Sequence, residues 1–205
     1  MKQNKKKNKK IIGITGGVGS GKSEVLRILK EDFQAKIIIA DQVAHDLMEP
    51  GNVNYKGIVA EFGTDILLED KKINRKALGQ IVFHNKEKLQ RLNQLTHPNV
   101  DRKIQEIMKE VREENCHLIV CEAAILVGAG YEAMFDELWY IFTREEVRRE
   151  RLKASRGYSD EQIDAMLSNQ TSEEEFKRIA DVVIDNSDTL ERTKEQIRNR
   201  VQKDL

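Results

Sequence analysis

Short apolar runs alternate with longer charged segments along the chain, and this alternation predicts an α/β fold with a parallel sheet. The apolar runs predict five strands, at Ile11–Thr15, Lys36–Ala40, His117–Glu122, Glu137–Phe142 and Asp181–Ile184. Four of these runs are apolar at nearly every position, which is typical of strands covered on both faces. Helical periodicity predicts helices at Lys22–Phe33, Thr143–Ser155, Asp160–Leu167, Ser172–Ile179 and Asp188–Gln202.

Residues 45–115 interrupt this rhythm with a segment that is almost entirely helical by pattern. It predicts helices at Tyr55–Phe62, Arg75–Phe83, Lys86–Leu95 and Pro98–Glu114. We expect Pro98 to begin the last of these helices, because proline is tolerated in a first helical turn. About 70 residues between two strands is far more than a simple crossover needs. We therefore expect an inserted helical region that binds substrate.

The strongest motif lies directly after the first strand and matches the phosphate-loop pattern G-x-x-x-x-G-K-[ST] in full. Its glycines let the backbone turn its N–H groups toward phosphate oxygens, and the next helix adds its positive N-terminal end. Lysine in this motif reaches the β and γ phosphates, and the serine hydroxyl is placed for Mg²⁺. The predicted nucleotide-binding residues are Gly16, Gly17, Val18, Gly19, Ser20, Gly21, Lys22, Ser23 and Glu24.

Other motifs in the sequence and the length of the chain narrow the class of nucleotide-binding protein. A GTPase needs N-K-x-D, but the Asn85–Lys86 pair is followed by Lys88 where aspartate should stand. A translocase would be longer than 205 residues. A small ATP-dependent metabolite kinase fits best. A nucleoside monophosphate kinase, another metabolite kinase, or a non-catalytic nucleotide-binding regulator stay open at this point.

Two acidic residues end predicted strands, where parallel sheets line their ligand crevice. Asp41 follows the second strand and is the candidate base that accepts the proton of an attacking hydroxyl. The alternative is that it only caps the following helix. Glu122 ends the third strand, as an acid supporting Mg²⁺ through water would, or it is an ordinary loop acid.

Residues 144–172 are arginine-rich and predict a lid over the transferred phosphate. The arginines Arg144, Arg148, Arg149, Arg151 and Arg156 crowd one helix and its exit. Local pairing with glutamates would make them a charged surface instead. Gly157, directly after Arg156, gives a flexible turn suited to a closing segment, so we expect one of these arginines to act as a lid arginine.

The charge distribution and the cysteine content bear on the binding partners and the cellular location of the protein. The chain has 35 Lys+Arg and 35 Asp+Glu, but removing the six lysines of residues 1–10 leaves 29 basic residues against 35 acidic ones. Residues 1–10 thus predict a disordered lysine-rich tail, and the acidic remainder argues against specific nucleic-acid binding. In the regulator alternative, this tail docks on RNA. Two cysteines fit neither a disulfide framework nor a zinc site, and no apolar stretch approaches a membrane span, so we expect a cytoplasmic protein.

Several longer segments carry a family resemblance. They are IIGITGGVGSGKS, IIIADQVAHDLMEPG, FGTDILLEDKKINRKALGQIVF, LNQLTHPNV and ADVVIDNSDTLE. On these the chain resembles the dephospho-coenzyme A kinase family from about Ile11 to Leu205. The resemblance implies a P-loop kinase core, a helical coenzyme A subdomain and a lid. It also implies transfer of the γ-phosphoryl group of ATP to the ribose 3′-hydroxyl of dephospho-CoA.

The resemblance also places individual residues. Asp41 falls on the catalytic aspartate, Arg156 near a lid arginine, and Asn186 on the segment that borders the adenine. The insert must bind a pyrophosphate and a pantetheine arm, for which Arg75, Lys76 and His97 are candidates. We expect ATP and Mg²⁺, with Ser23 and Glu122 nearest the metal, and a monomer or weak homo-oligomer.

The sequence departs from the family pattern at four places. Many members read E-x-P-L-L-F-E after the third strand, but here Glu122 is followed by AAILVG, so the second glutamate is absent. Ile39 stands where many members carry a second aspartate, so a single carboxylate must suffice. Glu24 replaces the usual threonine after the loop and leaves the Ser23 hydroxyl in place. The spacing around Arg156 differs by about one residue on each side, which makes Arg151 its rival as the lid arginine of the family pattern.

Overall fold

The computed structural model describes residues 9–83, 85–113, 116–122 and 134–203. Its strands are β1 Lys10–Thr15, β2 Lys36–Ile39, β3 Leu118–Glu122, β4 Glu137–Phe142 and β5 Val182–Asp185. Its helices are α1 Lys22–Phe33, α2 Ala40–Leu47, α3 Val53–Phe62, α4 Arg75–Phe83, α5 Lys86–Glu113, α6 Glu145–Arg156, α7 Asp160–Ser168, α8 Glu173–Ile179 and α9 Leu190–Gln202. These elements confirm the predicted α/β class and all five predicted strands.

The strands form one parallel sheet in the order β2-β3-β1-β4-β5. Strand β1 lies in the middle and pairs with β3 on one side and β4 on the other. Neither β3 nor β4 is the next strand after β1 in the sequence. Each parallel pair is joined by a crossover connection. The sheet therefore places the end of β1, and the loop that follows it, between two other strand ends.

The chain divides into two compact units, and the sheet belongs to the first, which comprises residues 1–38 and 114–205. Its core joins the apolar faces of β1, β4, α1 and α9, with Ile12, Trp139 and Ile197 all fully buried. The Trp139 indole N–H donates to the buried carboxylate of Glu137 over 2.8 Å. Lys10 also pairs with Glu137 over 3.0 Å. This ion pair explains why β1 begins at Lys10, which we had expected to end the tail; residues 1–8 lie outside the described ranges.

Helices α6 and α7 form a hairpin within the predicted lid segment. Gly157 makes the turn with φ +64°, and Ser159 caps α7 through a reciprocal pair of hydrogen bonds with Gln162. Leu152 and Ile163 are buried. Capping and burial therefore fix the geometry of the hairpin. The ion pairs on its exposed surface contribute little to its stability.

The second unit, Ile39–Glu113, is helical and has its own apolar core of Ile58, Ile66, Ile73, Leu78 and Val82. It begins before residue 45, where we expected the insert to start. Its first helix, α2, follows β2 directly, so the second strand ends one residue earlier than predicted.

The prediction that the last insert helix begins at Pro98 is wrong. Helix α5 continues from Lys86 to Glu113 with Pro98 inside it. Proline lacks an N–H and disturbs the preceding turn. Next to Pro98, the Asn99 side chain donates to the Leu95 carbonyl over 3.0 Å and to the Asn54 side-chain oxygen over 2.8 Å, which ties this turn of the helix to α3. Asn54 is buried, so tertiary packing overrides the local tendency of proline to end a helix.

None of the helices in the described ranges combines the length and apolarity that crossing a bilayer requires.

Candidate active site

The phosphate-loop motif forms the connection between β1 and α1, where the sequence placed it. Gly19 and Gly21 have φ values of +78° and +80°, which side chains with a Cβ rarely adopt. The Gly21 carbonyl accepts hydrogen bonds from the amides of Glu24 and Val25, in the first turn of α1. The loop therefore ends in the positive N-terminus of a helix that has several turns, a favourable position for phosphate.

Lys22 folds back over the loop. Its ammonium donates to the carbonyls of Gly16 over 2.8 Å and Gly17 over 3.2 Å. The exposed Ser23 side chain makes no hydrogen bond or ion pair within the described residues. The lysine charge is thus held against the start of the loop, and the serine hydroxyl is available to a ligand.

Residues from distant parts of the chain support the far side of the loop. The Ser20 carbonyl accepts from the Thr143 hydroxyl and from the Asn186 side-chain amide, each over 2.9 Å. Asn186 also accepts from the Thr193 hydroxyl over 2.9 Å. A Cβ on Gly21 would lie 2.3 Å from the Asn186 amide nitrogen, so this position requires glycine for space as well as for backbone conformation.

Arg151 contacts the same part of the loop. One of its terminal nitrogens donates to the Asn186 carbonyl over 2.9 Å, and the other is buried without a partner. Within the described residues, the other buried unpartnered side-chain atoms are the hydroxyls of Thr15 and Ser20. Thr15 directly precedes the loop, and Ser20 belongs to it. Leaving such a group unsatisfied costs about 1–3 kcal/mol, so their clustering here points to a ligand-binding surface.

Arg148 and Gln170 hold the middle of the loop. The Val18 amide donates to the Gln170 Oε1 over 3.2 Å, and Arg148 Nε donates to the Val18 carbonyl over 2.9 Å. Arg148 also donates to Gln170 Oε1 over 2.7 Å. Burial lowers the pKa of Arg148 from its usual value, but a guanidinium stays charged.

Glu24 and Glu122 are the acidic residues of the first unit for which the sequence predicted a role at the site, and their surroundings differ. Hydrogen bonding to Arg27 lowers the pKa of Glu24, so this carboxylate is already engaged on its own helix. Glu122 is half-buried at the end of β3, in register with Ile14 of β1. It therefore lies beside the last residues of the strand that leads into the loop.

Asp41 lies in the first turn of α2, in the second unit. Ile39 occupies the N-cap position, and no side chain caps this helix, so the alternative that Asp41 is a capping residue does not hold. The Asp41 carboxylate is exposed and has no hydrogen-bond or ion-pair partner among the described residues. It is thus available to accept a proton from a substrate.

The candidate acceptor-binding residues also belong to the second unit. Arg75 is exposed at the start of α4. His97 faces an open groove along α5. The groove is lined by Lys86, Leu89, Gln90, Asn93, Gln94, His97 and Pro98. Burial raises the pKa of Asp101, one turn further along, and His97 partly opposes this shift. The structure does not bring Arg75 into this groove.

Arg156 lies at the end of α6, with its guanidinium 5.9 Å from the ring centre of Tyr158. Its role as lid arginine stays a prediction, as does contact between Asn186 and adenine. Sequence reasoning missed Thr143 and Gln170 and gave Arg148 no role of its own. The crowding of arginines was the one local signal, because these residues lie more than a hundred positions from the loop.

Known proteins of one family match this chain over most of its length. A sequence model of the family described as dephospho-CoA kinase matches residues 10–192. A dephospho-CoA kinase of Carboxydothermus hydrogenoformans is 43% identical over 193 residues, which cover 94% of this chain and 93% of that protein. One from Thermobifida fusca is 38% identical, with 88% of each chain covered.

Solved structures agree. A protein from Thermus thermophilus superposes with a TM-score of 0.81 at 28% identity, covering 97% of this chain and 99% of the other. Dephospho-CoA kinase from Campylobacter jejuni gives a TM-score of 0.71 at 30% identity, with 94% and 96% covered. A shikimate kinase of Bacteroides thetaiotaomicron, at 13% identity and a TM-score of 0.55, covers 94% and 98% and shares the fold alone.

Proposed function

The chain belongs to the dephospho-CoA kinase family, and we propose that it transfers the γ-phosphoryl group of ATP to the ribose 3′-hydroxyl of dephospho-CoA. This reaction gives CoA and ADP and is the last step of coenzyme A synthesis. The observation that carries the proposal is the phosphate loop between β1 and α1, with the Lys22 ammonium bound against it.

The nucleotide side acts by charge and position. Amides at the start of α1 face phosphate oxygens, and Lys22 neutralises negative charge on the β and γ phosphates. Lys22 is already held by the carbonyls of Gly16 and Gly17, so little of its side-chain freedom remains to be lost when ATP binds. Phosphoryl transfer needs mainly such positioning and electrostatic stabilisation.

Asp41 is the proposed general base. It orients the 3′-hydroxyl of the acceptor and takes its proton as the oxygen attacks the γ-phosphorus. The new O–P bond forms while the bond to the β–γ bridging oxygen breaks, and ADP leaves with that electron pair. The exposed, unpartnered carboxylate in the first turn of α2 supports this role, because a base already bound to a cation would accept a proton less readily.

Mg²⁺ is proposed as the metal, and the residues present fit it. Mg²⁺ is usually held by few protein oxygens together with substrate phosphates and water. Ser23 offers an unbonded hydroxyl, and Glu122 offers a carboxylate beside the strand that enters the loop. The described residues contain no group of three or more His, Cys, Asp or Glu side chains that would hold a metal without substrate. When bound, Mg²⁺ supplies charge neutralisation at the phosphates.

The geometry favours Arg151 over Arg156 as the arginine that stabilises the transferred phosphoryl group. Arg151 contacts the loop region and keeps a buried donor without a partner, whereas Arg156 lies against Tyr158. Asn186 is proposed to support the loop through Ser20, in addition to its predicted position beside the adenine.

For the acceptor, we propose that His97 and the α5 groove bind part of the dephospho-CoA chain and that Arg75 binds its pyrophosphate. Leu89 and Pro98 give this groove apolar surface, and Lys86 and His97 give it polar groups, which is what a pantetheine arm needs. We also propose a cytoplasmic monomer or weak homo-oligomer, in keeping with the reduced cysteines Cys116 and Cys121.

A coupled assay that follows ADP release tests the function. With MgATP and the full chain, we expect turnover with dephospho-CoA and none with nucleoside monophosphates or shikimate. Mass spectrometry of the product should show one added phosphate on the 3′-oxygen. ATP binding without turnover of any acceptor, together with RNA affinity that disappears when residues 1–10 are deleted, would instead support a non-catalytic regulator.

A further inference from the structure

Val18, at the apex of the phosphate loop, is held through both of its backbone polar groups. Its amide donates to Gln170 Oε1, and its carbonyl accepts from Arg148 Nε. The third bond, from Arg148 to Gln170 Oε1, closes a ring of hydrogen bonds around this one residue. The two peptide planes on either side of Val18 are therefore fixed.

These are the planes that need external restraint most. Gly17 precedes Val18 and Gly19 follows it, so little side-chain bulk on either side limits peptide rotation. A flip of the Gly17–Val18 plane would break the bond from Val18 to Gln170 and would turn the Gly17 carbonyl away from the Lys22 ammonium. The Gly17 and Val18 backbone is also next to the carbonyls that hold Lys22.

The contacts around Gly17 are close. A Cβ built there would lie 2.5 Å from both Arg148 Nη2 and Gln170 Oε1, nearer than real Cβ contacts come. Glycine at this position therefore accommodates Arg148 and Gln170, and it does not serve an unusual backbone angle.

Gln170 reaches the loop because of the α6–α7 hairpin. Arg148 lies on α6, and Gln170 comes two residues after the last residue of α7, with Asn169 ending that helix. On the same hairpin, Arg149 pairs with Glu145 of its own helix over 2.8 Å and with Asp164 of α7 over 2.5 Å. Arg148 thus reaches the loop, and its neighbour Arg149 joins the two helices of the hairpin.

We propose that Gln170 and Arg148 are positioning residues that hold the apex of the phosphate loop in its ATP-binding conformation. The inference rests on the proposed kinase function. Gln170 acts through Arg148 and Val18, and both side chains together make the loop rigid before the nucleotide arrives. Losing them leaves the acceptor side unchanged.

The test compares Gln170→Ala, Arg148→Ala and the double variant in steady-state kinetics with the full chain. We expect each single variant to raise the KM for ATP by about tenfold, the scale of one charge-assisted hydrogen bond. The double variant should be no worse than either single one, because both residues act on the same peptide. The KM for dephospho-CoA should stay unchanged.

Matched controls are Glu146→Ala and Glu150→Ala, which remove exposed side chains of α6 on either side of Arg148 and should leave the KM for ATP unchanged. Arg148→Lys keeps the charge but cannot donate to Val18 and Gln170 as a planar fork does, so it should behave like Arg148→Ala. Wild-type affinity in Arg148→Lys, additive effects in the double variant, or equal increases in both KM values would overturn the proposal.

The dissociation constant of a non-hydrolysable ATP analogue, measured by calorimetry, separates this inference from the function it rests on. If wild-type protein fails to phosphorylate dephospho-CoA, the proposed function fails, yet the analogue still reports on the loop. Unchanged analogue affinity in Gln170→Ala and Arg148→Ala would refute the positioning role whatever the acceptor is.

Discussion

In the first unit, the Ser20 carbonyl accepts hydrogen bonds from Thr143 and Asn186, which are separated from it by 123 and 166 positions in the sequence. In the second unit, by contrast, the Asp41 carboxylate has no partner among the described residues. The nucleotide-binding loop is thus supported by residues from remote parts of the chain. The candidate base stands alone in the first turn of a short helix.

This difference corresponds to two chemical tasks. A phosphate loop works by presenting many dipoles in fixed directions, so rigidity that is established during folding is an advantage. A general base must change its protonation state during the reaction, and strong partners would hold it in one state. Lys22 is bound to two carbonyls and Asp41 to nothing in the described chain, as this division of tasks predicts.

The largest effect should come from Lys22→Ala. The variant loses the charge that we propose faces the β and γ phosphates, and the carbonyls of Gly16 and Gly17 lose their donor. We expect kcat/KM to fall by about 10³–10⁵-fold, the range known for a cationic group that stabilises phosphoryl transfer. Lys30→Ala, on the exposed face of the same helix, is the control and should retain full activity. Retained turnover in Lys22→Ala would remove the loop from the mechanism.

Asp41→Asn should separate chemistry from nucleotide binding. We expect kcat to fall by about 10²–10⁴-fold, since the amide cannot take the hydroxyl proton. Affinity for a non-hydrolysable ATP analogue should stay unchanged. Asp46→Asn is the control, because Asp46 lies on the same helix and is bonded to Gln42. A kcat for Asp41→Asn within threefold of wild type would show that Asp41 is not the base.

The same comparison explains which parts were predictable from sequence. The phosphate loop was predicted in full, because its glycines, lysine and serine are contiguous and their spacing is set by local backbone geometry. Asp41 was predicted at the end of a strand, and it lies two residues beyond β2 on a helix. The prediction singled out the right residue position for a site acid but assigned Asp41 to the end of a strand, whereas it belongs to α2.

The support of the loop was not predictable in this way. Arg148 and Gln170 are separated from Val18 by 130 and 152 positions, and nothing in their local sequence marks them as partners. The same holds for α5, where Asn54 meets Asn99 across 45 positions and helps the helix pass through Pro98. A single sequence reports local preferences, and these outcomes depend on tertiary contacts.

The lid arginines give the next prediction, with a smaller effect. Arg151→Ala should lower kcat by about 10²-fold, the cost of one donor to developing charge. Arg156→Ala should change kcat by less than about threefold, because a single exposed arginine–aromatic contact contributes little. Thermal denaturation of both variants checks that folding is intact. The reverse order of effects would restore Arg156 as the lid arginine and would place Arg151 among the loop's structural supports.

Gly17→Ala should have the smallest effect and tests the rigidity of the loop directly. The new methyl group would meet Arg148 and Gln170 at 2.5 Å, and these side-chain ends must move away. We expect the KM for ATP to rise by about tenfold through loss of the Val18 contacts, with kcat little changed. In the Arg148→Ala/Gln170→Ala background the same substitution has nothing to displace and should add no further increase. Gly79→Ala, which has no neighbour within 4 Å, is the matched control. If Gly17→Ala were equally harmful in both backgrounds, the methyl group would be excluding the nucleotide itself, and the loop would owe its shape to its own glycines and not to the distant residues that surround it.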